Sequence, residues 1–206
     1  MENARKIPLE VLKGVKEVDL SIDWTTKTWY GKPVKGLGSS EKGNSWNYAT
    51  TKYKGRVLLL AFIQQVSGMT KEEIVILVEQ VVAMGFKIRL ITLDAGFYTV
   101  DVINFISQFN YIVAVPVGDV KVFEEFDGDY MTNSKRHRRD EQVKFRLLVY
   151  SKEKVRRKRK KRFVYFARAT NLEIPKREVL DLYNKVRGPI ETSYRNIKAF
   201  LPFTIY

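Results

Sequence analysis

The chain has no cysteine and a single histidine among its 206 residues. Without cysteine there is no disulfide framework and no thiolate metal site. The one imidazole, His137, stands in the polar run Lys135-Arg136-His137-Arg138-Arg139. Histidine-rich zinc sites and Ser-His-Asp chemistry are therefore excluded, and His137 reads as solvated. Any bound metal has to be held by oxygen, which favours Mg²⁺ or Mn²⁺. Long apolar runs are absent too: none approaches the roughly 20 residues of a spanning helix. No apolar signal core follows Met1-Glu2-Asn3-Ala4-Arg5-Lys6. Acid is scarce, with 23 Asp+Glu against 37 Lys+Arg, a formal net charge of +14. That imbalance calls for a polyanionic partner, and nucleic acid ranks ahead of a membrane surface.

Hydrophobic residues make up 45% of the chain, enough for a real core. Residues 17–24 alternate as a strand. Residues 25–46 are rich in Gly, Ser and Lys and read as a long loop or hairpin. Residues 46–53 and 55–66 read as two strands joined at Lys54-Gly55. Thr70-Lys71-Glu72-Glu73 fits a capping box opening a helix that runs to about Met84 and stops at Gly85. Residues 87–93 form a buried strand, Thr99 to about Phe109 a helix, and Tyr111–Val117 another apolar strand. Strand, helix, strand, helix, strand is α/β grammar with parallel pairing. After Pro116 the chain turns polar over 118–142. Strands over Val143–Tyr150 and Phe163–Ala169 follow, then a helix over 175–187 and a second helix starting at Pro189. The domain reading is an N-terminal extension over 1–16, a core over 17–117, a β-rich basic insertion over 118–172 and closing helices over 173–206. Three early strands followed by αβαβ is the order of a ribonuclease-H-like mixed sheet flanked by helices. In that order the first strand is central and the strand leading to Asp94 lies beside it.

Three acids stand where metal chemistry would use them. Asp23 ends the first alternating run, Asp94 ends the apolar run 87–93, and Glu191 lies early in the helical segment after Pro189. Two strand-end aspartates and a helix-borne glutamate suit two divalent ions, which together clamp the attacking and leaving oxygens of a phosphodiester. Each also has a structural reading: Asp94 as a turn former, Glu191 as a carboxylate favoured by a helix N-terminus. Asp19 shares the strand face of Asp23 and reads as a solvated edge residue. Trp24, Trp29 and Trp46 read as core ahead of base stacking. Lys154 to Arg162 holds eight basic residues in nine, centred on Arg156, Arg157, Lys158 and Arg159. Removing that tract lowers the net charge from +14 to +6, so the remainder is still basic.

These residues resemble the DDE transposases of prokaryotic insertion sequences, in particular the group with a β-strand insertion before the catalytic glutamate. Asp23-Trp24-Thr25 followed by Tyr30-Gly31-Lys32 is similar to the first motif, and Leu93-Asp94-Ala95-Gly96-Phe97-Tyr98 to the second. Tyr183, Arg187, Glu191 and Lys198 resemble the Tyr-Arg-Glu-Lys signature, with Arg-x₃-Glu-x₆-Lys spacing matched. Three residues separate Tyr183 from Arg187, where the group usually has two. The likeness spans about residue 17 to 206. It implies a catalytic core that cleaves transposon-end DNA and joins it to target DNA. Asp23, Asp94 and Glu191 would hold two Mg²⁺ or Mn²⁺ ions. Tyr183, Arg187, Arg195 and Lys198, with the tract at 156–159, would meet DNA. Double-stranded DNA is the implied partner, with a homodimer in the DNA complex, no membrane, and a cytoplasmic, nucleoid-associated setting. The implied core lacks the N-terminal DNA-binding region and C-terminal continuation of such transposases. Rival readings are another ribonuclease-H-like nuclease and an inactive DNA-binding remnant.

Overall fold

A computed structural model of the protein describes residues 9–27, 44–53, 56–64, 70–116, 118, 125–133, 142–155 and 161–200. The protein is α/β, with a mixed sheet flanked by helices. It divides into two compact units, Met1–Thr92 with Asp181–Tyr206, and Leu93–Leu180. These divisions differ from the boundary at 117/118 read from the sequence.

In the first unit, β1 (Glu17–Lys27), β2 (Asn44–Tyr53) and β3 (Arg56–Gln64) form an antiparallel meander. A register shift falls between Ala49 and Thr50 in the β2–β3 pairing. Helix α1 (Thr70–Ala83) then crosses to β4 (Lys87–Leu93). The helix ends at Gly85, whose φ of 86° is the left-handed conformation that glycine adopts without strain. β4 lies beside β1 and runs parallel to it. Lys87 N–H donates to Lys16 O at 2.8 Å, and Thr92 Oγ1 donates to Leu20 O at 3.2 Å, both partners advancing along their strands. The strand order is therefore β3-β2-β1-β4, with β1 central. One face of β1 presents Leu20 and Ile22, and the facing helix α1 buries Ile74, Leu77, Val78 and Val81.

One sequence expectation changes here, and a second residue gains a partner that the sequence did not show. Asp19 is not a solvated edge residue: β1 is internal, and Asp19 pairs with Arg89 of β4, whose Nε donates to Oδ1 at 2.7 Å. Glu73, read from the sequence as the last residue of a capping box, also has a partner outside the helix. It lies on the buried face of α1 and accepts a hydrogen bond from Asn47 Nδ2 of β2. Both partners are almost fully buried, so the bond satisfies groups that are costly to strand.

In the second unit, β5 (Tyr111–Val115) is buried along its length. A 3₁₀ turn (Ala95–Phe97) and helix α2 (Val100–Ile106) precede it, with Thr99 as N-cap accepting from Val102 N–H at 3.3 Å. β7 (Gln142–Val155) and β8 (Lys161–Thr170) form a long hairpin, and β8 pairs antiparallel with β5. The hairpin of the expected insertion thus extends the sheet of β5. β6 (Phe126–Asn133) pairs with β7 along its whole length. This strand was not expected; it lies within the stretch read as polar and turn-rich over 118–142, of which residues 119–124 and 134–141 lie outside the described residues. Its order in the unit is β5-β8-β7-β6.

Arg146 of β7 fastens that edge. Its Nε and Nη2 donate to Asp127 at 2.7 and 2.9 Å, and its Nη1 donates to the carbonyls of Leu172 and Ile174 at 2.9 and 2.7 Å. The hydrogen bond from Arg146 holds the Asp127 carboxyl below its ordinary value, against opposing burial. Arg146→Ala is expected to cost about 2 kcal/mol in urea unfolding, mostly from the two abandoned carbonyls, because the Asp127 pair is partly exposed. The pair has a pH signature as well. A lowered carboxyl contributes stability above its unfolded value and loses it as pH falls through the folded value. Wild type should therefore lose this increment from about pH 4 downward, and Asp127→Asn should flatten that part of the curve. Identical acid limbs would remove the pair from the account.

Helix α3 (Lys176–Phe200) is continuous. The expected break before Pro189 does not occur; Pro189 lies inside the helix. Proline there forfeits a hydrogen bond to the carbonyl four residues back. The buried stripe Val179, Tyr183, Val186, Arg187 and Ile190 continues across it at spacings of three and four. Tertiary packing of that stripe outweighs the local break.

Candidate active site

Asp23 sits on β1 opposite Tyr48 of β2. Alternation along β1 puts Asp23 on the face shared with Asp19 and Ser21, away from α1. Helix α3 covers that face: Ile190 packs with Tyr48, and Leu59 and Phe62 of β3 join them. Burial pushes the Tyr48 hydroxyl up from its ordinary pKa. One turn before Ile190, Arg187 reaches Asp23. Its Nη2 lies 3.0 Å from Asp23 Oδ2, and its Nη1 donates to Ile22 O at 3.2 Å. The two side chains are only 10% and 15% exposed. The other carboxylate oxygen, Oδ1, accepts from Trp24 N–H at 2.8 Å.

Asp94 follows directly on the last residue of β4. It is exposed and caps the 3₁₀ turn, its Oδ1 accepting from Ala95 N–H at 2.7 Å. The turn buries Phe97 completely, so a fixed backbone carries the carboxylate. Asp23 and Asp94 belong to different compact units. Glu191 lies on α3 four residues beyond Arg187, as do Arg195 and Lys198 further along; their side chains lie outside the described residues. Among the described residues, no three His, Cys, Asp or Glu side chains gather around one point. Arg156, Arg157, Lys158 and Arg159 lie outside the described residues, as do His137 and Trp29.

Tyr183 and Arg187, to which the resemblance gives DNA contacts, lie buried in this DNA-free structure. Tyr183 is buried at 6% exposure and Arg187 at 8%. In this structure Arg187 spends two of its nitrogens on Asp23 and the Ile22 carbonyl. Sequence reasoning missed this pair, although its signal was present: Val179, Tyr183 and Arg187 recur every four residues and mark one buried stripe. The Asn47–Glu73 and Asp19–Arg89 contacts carried no comparable signal, because each joins residues distant in sequence.

Compared with known proteins, the chain matches no family model and no curated sequence. Among the described residues, no helix is long and apolar enough to cross a membrane.

Proposed function

We propose that this protein is the catalytic core of a DDE-type DNA transposase, on a ribonuclease-H-like fold, that nicks transposon-end DNA and joins it to target DNA. The observation that carries the reading is the placement of β4. It runs parallel beside a central β1, which bears Asp23, and leads straight into the exposed carboxylate of Asp94. The spacing of Arg187, Glu191 and Lys198 and the net charge of +14 support it. Oxygen-only donors fit a hard cation. Asp23, Asp94 and Glu191 would hold Mg²⁺ or Mn²⁺, which supplies charge neutralisation at the phosphate and an activated oxygen nucleophile. The chain's own part is to fix Asp94 on its capped turn and Asp23 on the internal strand, and to attract the DNA backbone. A non-catalytic DNA-binding protein is the second reading, favoured by the engagement of Asp23 with Arg187.

The deciding assay is Mn²⁺-dependent nicking and joining of labelled duplexes. Activity abolished by chelation supports the first reading; tight DNA binding with no nicking at any Mn²⁺ concentration supports the second. The basic tract has its own test. Replacing Arg156, Arg157, Lys158 and Arg159 with Ser is expected to flatten the plot of log affinity against log salt by up to roughly 3.6, at about 0.9 per phosphate contact. An unchanged slope would leave the tract a solvated loop.

A further inference from the structure

The Asp23 carboxylate is not simply displayed for a ligand; a buried guanidinium already holds it. Arg187 Nη2 lies 3.0 Å from Oδ2, and the side chain is anchored again by the Ile22 carbonyl. A divalent cation ligated by Oδ2 would sit roughly 2.1 Å from that oxygen. It would then lie no more than about 5 Å from the Arg187 nitrogen, whatever its direction of approach. A double and a single positive charge at that range repel. Even at the dielectric of water, the repulsion amounts to a factor on the order of ten in affinity, and the site is mostly out of water.

We propose that Arg187 is a positioning residue that sets the cation affinity of Asp23, holding the carboxylate and keeping divalent-ion uptake there weak in the DNA-free protein. The inference rests on the reading of Asp23 as a metal ligand. It differs from a phosphate grip, since the guanidinium acts on the protein's own carboxylate. It differs also from a purely structural ion pair, since the electrostatic effect on a cation depends on the charge at position 187.

The test is Mn²⁺ titration of the full chain without DNA, read by the paramagnetic resonance of free Mn²⁺. Wild type should bind weakly. Arg187→Gln should bind on the order of tenfold more tightly, and Arg187→Met, which keeps the apolar stem, provides the same neutral charge if the glutamine variant folds poorly. Arg187→Lys retains the charge and should stay near wild type. Asp23→Asn combined with Arg187→Gln should lose the gain. Equal, Asp23-dependent affinities in wild type and the neutral variants would overturn this inference and leave the metal reading standing. No Mn²⁺ binding in any variant at millimolar concentration would overturn both. Thermal melts of the same variants report the structural role separately, which both Gln and Lys would weaken.

Discussion

Asp23→Ala is expected to destabilise the protein by about 3 kcal/mol or more in urea unfolding. The reason is what it leaves behind. Arg187 is only 8% exposed, and its counter-charge would be gone while its guanidinium stayed beneath helix α3. A charge stranded in this way typically costs about 3–5 kcal/mol, more than the intact pair contributes over an apolar substitute. The double variant Asp23→Ala, Arg187→Met should therefore recover a large part of the loss, since the methionine stem can fill the same space. The pair's coupling emerges from the cycle of the two single variants and the double. A loss below about 1 kcal/mol in the single variant would mean that the guanidinium reaches solvent on losing Asp23.

That pair also shows where sequence stops being informative. Strand and helix positions came from local signals: the apolar run 87–93 as a buried strand, capping residues for the helix opening near Thr70, and Gly85, whose φ is positive, for its stop. These signals are local and physical. β6 escaped because Phe126-Asp127-Gly128-Asp129-Tyr130-Met131-Thr132-Asn133 has little apolar alternation. It is held by β7 backbone pairing and by Arg146, neither visible in its own residues. Pro189 misled for the converse reason. A local breaker was read as a helix end, while the buried stripe from Val179 to Ile190 continued through it. Glu73 fitted a capping pattern that says nothing of Asn47, 26 residues away in sequence. For the site, the strand end was legible for Asp94; Asp23 was read as ending its strand, whereas β1 runs on to Lys27 and its pairing with β2 continues beyond Asp23. The state of each carboxylate was not legible: one is clasped by a buried arginine and the other is an exposed turn cap.

That contrast makes Asp94 the sharper test of function. Asp94→Asn is expected to lower Mn²⁺-dependent nicking by on the order of a thousandfold, about 4 kcal/mol of transition-state stabilisation. Its effect on folding should be a few tenths of a kcal/mol at most. Asparagine caps a helical turn about as well as aspartate, and its side-chain oxygen can still accept from Ala95 N–H. Exposure of the side chain means that no buried charge is stranded. Asparagine differs where it matters to the proposal: it is a neutral, poorer ligand for a hard divalent ion. Asp23→Asn cannot be read so cleanly, because it disturbs Arg187 as well. The measurement is the initial nicking rate on a labelled duplex over a range of Mn²⁺ concentrations, beside a thermal melt of each protein. A variant that melts like wild type and has lost nicking places Asp94 in the catalytic machinery. One that melts and nicks like wild type reduces Asp94 to the cap of a 3₁₀ turn, and the transposase reading then loses the residue on which its second motif rests.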